Sequence, residues 1–101
     1  MARSPSMSSL RLFLQVARTC SFSETARVSN LSQPALSRTI KLLEEDLGVR
    51  LFDRNSRNVV PTDAGAALVP IVERLTADFD LAFRALDQTF SGERGRVVVG
   101  A

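Results

Sequence analysis

Histidine is missing from this chain altogether, as are tryptophan and tyrosine, and Cys20 is its only cysteine. Without histidine the chain lacks the commonest metal ligand and the side chain best suited to proton transfer near neutral pH. A single cysteine allows no intramolecular disulfide and no cysteine-based zinc site. No histidine exists to activate it as a nucleophile, so the expected role of Cys20 is a small buried hydrophobe at a helix end. There is no glycine-rich phosphate loop and no pair of acids around a pocket. No catalytic residue, cofactor or metal site is therefore assigned. No stretch approaches the ~18 uninterrupted apolar residues of a membrane-spanning helix. The polar start, residues 1–9, leads into no apolar run of the kind a signal peptide carries. The expectation is a soluble cytoplasmic protein without a membrane partner.

What is present fits one small globular domain: 101 residues, 45% of them apolar, with six phenylalanines in an otherwise aliphatic set. Net charge is only +2, but it is unevenly spread. Residues 1–61 hold nine Arg/Lys against five acids, and residues 62–101 hold four arginines against six acids. The front of the chain is the candidate for an anionic partner.

The stretch SQPALSRTIKLLEEDLG, residues 32–48, predicts one capped helix. Ser32 is a good N-cap, Pro34 falls in the first turn, and Leu31 and Leu36 can form a hydrophobic staple. Gly48 ends the helix at positive φ. Leu36, Ile40, Leu43 and Leu47 recur at helical spacing and form a face to be buried. Gln33, Ser37, Arg38 and Lys41 form the opposite face, and Glu44, Glu45 and Asp46 lie at the C-terminal end. The N-terminal end carries the positive end of the helix dipole and suits docking on an anion. Taken alone, the stretch also reads as an ordinary amphipathic helix with a solvated polar face.

Its surroundings add weight. Residues 9–20 predict a first helix with Leu10, Phe13, Leu14, Val16, Ala17 and Cys20 in an apolar stripe, capped by Ser8 or Ser9. Residues 23–29 predict a short second helix capped by Ser23, with Ser21 and Glu24 offering a rival capping box. Two short helices joined by a tight turn form a helix-turn-helix arrangement. After Gly48, two short apolar runs flank the polar turn DRNSRN and read as a β-hairpin with Arg54 and Arg57 at or near its tip. The hairpin is either a soluble surface loop or a wing whose arginines meet phosphates or a minor groove.

Thr62 caps a long helix expected to reach about Phe90, kinked or loosened at Pro70. Leu68, Val72, Leu75, Phe79, Ala82 and Leu86 alternate spacings of four and three, the heptad rule. A helix of about 28 residues would run about 42 Å, longer than a domain this small can cover. Phe79, Phe83 and Leu86 lie beyond the reach of the N-terminal core, which favours a second copy over a helix folded back on its own core. SGERG then reads as a linker and RVVVGA as a strand with no sheet to join, so the chain is expected to be the front part of a longer protein.

The run from SFSETARVSN through SQPALSR-x-I-x-x-LE-x-x-LG-x-x-LF-x-R to PT-x-AG resembles the N-terminal part of LysR-type bacterial transcriptional regulators. The resemblance covers about residues 9–90. It implies a mainly α fold: a winged helix-turn-helix of three helices and a two-stranded β wing (residues 8–61), followed by a long dimerising linker helix (residues 62–90). Residues 91–101 then match a hinge and the first strand of an effector-binding domain. Gln33, Pro34, Ser37 and Arg38 are implied to approach bases or backbone in the major groove, and Arg54 or Arg57 to reach the backbone or minor groove. Ser32, Lys41 and Thr62 are secondary candidates for phosphate contacts. The implied partners are double-stranded DNA with an inverted-repeat operator and a second copy of the chain. A full-length parent is implied to form tetramers and to contact RNA polymerase. One departure is Ser29, which stands where the family pattern expects a core leucine, with Val28 expected to compensate. The rival reading is a winged helix that docks a protein partner; an enzyme ranks third.

Overall fold

The computed structural model describes residues 5–97 apart from 56 and 57. Helices α1 (Met7–Thr19), α2 (Phe22–Val28) and α3 (Gln33–Leu47) precede strands β1 (Phe52–Asn55) and β2 (Asn58–Pro61), and helix α4 (Asp63–Val97) follows. The strands form one antiparallel hairpin in which Phe52 pairs with Pro61 and Arg54 with Val59. The mainly helical winged arrangement expected from the sequence is the one observed.

Two helix starts differ in detail from the sequence reading. Ser6, rather than Ser8 or Ser9, caps α1, its hydroxyl accepting the Ser9 N–H at 3.1 Å. Ser21, rather than Ser23, caps α2, accepting the Glu24 N–H at 3.0 Å. The return half of that capping box is absent. The Ser21 N–H goes to the Thr19 hydroxyl at 3.2 Å, and the Glu24 carboxylate pairs with Arg27. Cys20 is exposed, not buried. It is the C-cap of α1, in the left-handed conformation at φ 55°, past the last buried turn.

Three phenylalanines join the small helices to the hairpin. The Phe13 ring lies 5.5 Å from that of Phe52, and Phe22 meets Phe52 edge-on at 6.1 Å. Leu36, Ile40 and Leu43 of α3, together with Leu10, Leu14, Val16 and Leu51, close the core around them. Thr25 is fully buried, satisfied by a 2.9 Å hydrogen bond with the Thr19 hydroxyl. Val28 is 48% exposed and so does not compensate for Ser29; Phe22, Thr25 and Ala26 supply the buried face of α2.

The long helix begins where the sequence places it. The Thr62 hydroxyl accepts the Gly65 N–H at 3.1 Å, and the Thr62 N–H donates to the Leu51 carbonyl at 2.9 Å. Pro70 lies within α4 and leaves the Ala66 carbonyl without its helical donor, yet helix continues on both sides. It also continues through residues 91–95, where the sequence suggests a linker, up to Val97. Glycine lowers helix propensity by about 1 kcal/mol without forbidding the conformation. The remaining residues of the expected strand, 98–101, lie outside the described residues.

The first turns of α4 belong to the domain core. Val72 is 1% exposed, Thr76 is buried, and Leu68 packs against the same cluster. Two ion pairs tie α4 to α1: Arg11 to Asp80 at 2.7 Å and Arg18 to Glu73 at 3.5 Å. The hydrogen bond from Arg11 holds the Asp80 carboxyl below the usual carboxylate range, and Asp80 in turn raises Arg11. Beyond this point α4 leaves the core. A helix of 35 residues extends about 52 Å, and the molecule measures 58 × 27 × 22 Å.

Candidate nucleic-acid interface

Helix α3 is fixed at both ends. The Ser32 hydroxyl accepts the Ala35 N–H at 3.1 Å, with Pro34 in the first turn. Gly48 leaves the helix at φ 74°, where its N–H reaches the Glu44 and Glu45 carbonyls. A Cβ at Gly48 would meet nothing, so glycine is required there for its backbone angle and not for space. Leu36, Ile40 and Leu43 are buried, which leaves the opposite side of the helix facing outward.

That outer side carries the residues singled out from the sequence. Ser32, Gln33, Pro34, Arg38 and Lys41 are exposed and Ser37 is half-buried. They form a contiguous polar strip over the N-terminal two-thirds of α3. The carboxylates fall at its far end, and Glu44 is not a solvated charge there. Its Oε2 accepts the N–H groups of Leu51 and Phe52 at 2.8 and 3.3 Å, so it anchors the chain entering β1. Sequence reasoning missed this role. The signal was present, because Glu44 follows Ile40 by one turn and so lies at the edge of the buried face.

The wing sits beside this strip and is tied to it through Arg54. The Arg54 guanidinium lies 4.8 Å from the Phe22 ring centroid, donates to the Ser37 hydroxyl at 3.4 Å and approaches the Glu44 carboxylate at 3.6 Å. It does not stand out from the wing tip as the sequence reading expected. Arg57 lies outside the described residues. Thr62 is also engaged within the fold: besides capping α4, its hydroxyl donates to the Arg50 carbonyl. Among the described residues, no cluster of His, Cys, Asp or Glu could hold a metal ion, and no helix is long and apolar enough to cross a membrane.

The family model for bacterial regulatory helix-turn-helix proteins of the lysR family matches residues 7–66. The chain belongs to the LysR family. Among curated relatives of this LysR-family chain, the HTH-type transcriptional regulator XapR of Escherichia coli is 43% identical over 91 residues, covering 90% of the chain and 31% of XapR. The probable RuBisCO transcriptional regulator of Thalassiosira pseudonana is 39% identical over 91% of the chain and 30% of its own length. The chain thus spans about three-tenths of the length of these relatives. Among solved structures, the BenM DNA-binding domain in complex with benA site 1 DNA superposes with a TM-score of 0.80. It is 33% identical and is matched over 86% of this chain and 98% of that one.

Along one face of α4, the LysR-family chain presents Leu75, Phe79, Phe83 and Leu86, between 44% and 61% exposed, with Ala82 among them. Ile71 and Phe90 extend the same face. The Phe79 and Phe83 rings are stacked at 6.0 Å, and Arg11 lies over Phe79. Val72 and Leu68, grouped with this stripe from the sequence, are instead used by the chain's own core.

Proposed function

We propose that this chain binds double-stranded DNA sequence-specifically as a dimer and forms the DNA-binding part of a LysR-type transcriptional regulator. The observation that carries this reading is the capped helix α3, whose apolar face is buried while Gln33, Pro34, Ser37, Arg38 and Lys41 face outward. The similarity to a LysR-family domain captured on DNA supports it. The N-terminal half of α3 enters the major groove. Arg38 and Gln33 read base edges, Ser37 adds a contact, and Ser32 and Lys41 meet phosphates. One bidentate base contact contributes about 1–3 kcal/mol of discrimination, and each neutralised phosphate makes binding more sensitive to salt.

Pairing through the exposed stripe of α4 gives two reading helices related by a two-fold axis, which matches an inverted-repeat operator. In a full-length parent, a downstream domain would add effector response, tetramer formation and contact with RNA polymerase. A titration of Arg38→Ala tests the reading. Specific affinity should fall by about 1–3 kcal/mol, with a much smaller loss on random duplex. Equal losses on both would remove base readout from Arg38, and absence of salt-dependent affinity in the wild type would favour a module that docks a protein.

A further inference from the structure

The Arg54 side chain is 32% exposed and the Glu44 side chain 14%. Glu44 lies on α3 and grips the entry to the wing through two backbone N–H groups. Arg54 lies on β1 and reaches back to α3 through Ser37 and Glu44 while stacking on Phe22 of α2. The contacts cross between the elements in both directions. A guanidinium aimed at phosphate would keep its planar fork free for two parallel hydrogen bonds; here its two terminal nitrogens approach the Ser37 hydroxyl and the Glu44 carboxylate.

We propose that Arg54 and Glu44 are positioning residues: a clasp that sets the wing against the recognition helix and fixes Ser37, so that discrimination between DNA sequences depends on two side chains that touch no DNA. The inference rests on the proposed DNA-binding function. It reverses the role expected for Arg54 as a wing contact, and it gives Glu44 a counterintuitive effect. Removing a negative charge beside a DNA-binding face strengthens binding if the charge is a bystander, because phosphate repulsion falls. Removing it from a clasp weakens binding, because the reading head loses its geometry.

The test titrates the whole chain against a duplex enriched from a random pool and against an unselected duplex, at several salt concentrations. Glu44→Gln, Arg54→Lys and Arg54→Met should each lose about tenfold on the enriched duplex, the size of coupling seen between contacting residues, and far less on the unselected one. The salt slope should stay unchanged even for Arg54→Met. The double variant Glu44→Gln with Arg54→Lys should bind no more weakly than the poorer single variant. Thermal unfolding of each variant keeps the comparison to folded protein, and Arg54→Lys retains the charge at a partly exposed site. Tighter binding by Glu44→Gln, wild-type affinity in Arg54→Lys, or a slope reduced by about 1 in Arg54→Met would overturn the clasp while leaving DNA binding intact. Failure of the wild-type chain to distinguish any duplex would instead overturn the DNA-binding reading and the clasp with it.

Discussion

Gly65 occupies a position where helix α4 passes the backbone of Leu51, and a Cβ there would fall 2.1 Å from the Leu51 carbonyl oxygen. Backbone cannot swing aside as a flexible side chain does. Gly65→Ala should therefore destabilise the domain by about 1–3 kcal/mol, the range for overpacking, seen as a lower denaturant midpoint. Cys20 presents the opposite case. It holds a left-handed backbone angle at an exposed cap, a conformation that costs a non-glycine residue about 1–2 kcal/mol. Cys20→Gly should leave stability unchanged or raise it; a clear loss in thermal unfolding would restore Cys20 to the core. The sequence could not distinguish these roles. A lone apolar side chain at a helix end reads as buried, and only the chain reversal at residue 20 turns it outward. Gly65 was legible as part of the pattern PT-x-AG, but the carbonyl it must clear belongs to a residue fourteen positions earlier.

At the level of elements, α3 was readable from end to end because each cue is local: Ser32 and Gly48 at the ends, and Leu36, Ile40 and Leu43 about one turn apart. The contact between Glu44 and Arg54 escaped notice because it depends on how the hairpin folds back on α3. The same holds for Val72, which heptad spacing groups with the exposed stripe but which the core cluster buries. The junction between α1 and α4 has its own signature. The Arg11 hydrogen bond lowers the pKa of Asp80, so its stabilising effect is fully present above the unfolded carboxylate range and is lost as pH falls through the folded value. Asp80→Asn should lower the melting temperature slightly at neutral pH, and the difference from wild type should vanish in acid below the carboxylate range. Both groups are well exposed, so added salt should shrink the effect as well. A difference that grows on acidification would contradict the pairing.

The whole molecule is a small core with a rod attached. The core uses the first turns of α4 and leaves Leu75, Phe79, Phe83 and Leu86 uncovered. A run of exposed apolar side chains this long along one helix face marks an interaction surface, and the proposed pairing with a second copy would cover it symmetrically. Phe79→Asp should weaken association by at least about 30-fold, the loss of one anchoring aromatic. Sedimentation should then find a dimer for the wild type and monomers for the variant at the same concentration; a dimer unaffected by the change would remove this face from the interface. Reading DNA through α3 and pairing through α4 together would require both halves of the molecule. Selecting bound duplexes from a random DNA pool with the wild-type chain tests this most directly. An inverted repeat whose two half-sites have a fixed spacing should be enriched. Enrichment of no sequence, or of single half-sites without symmetry, would contradict it.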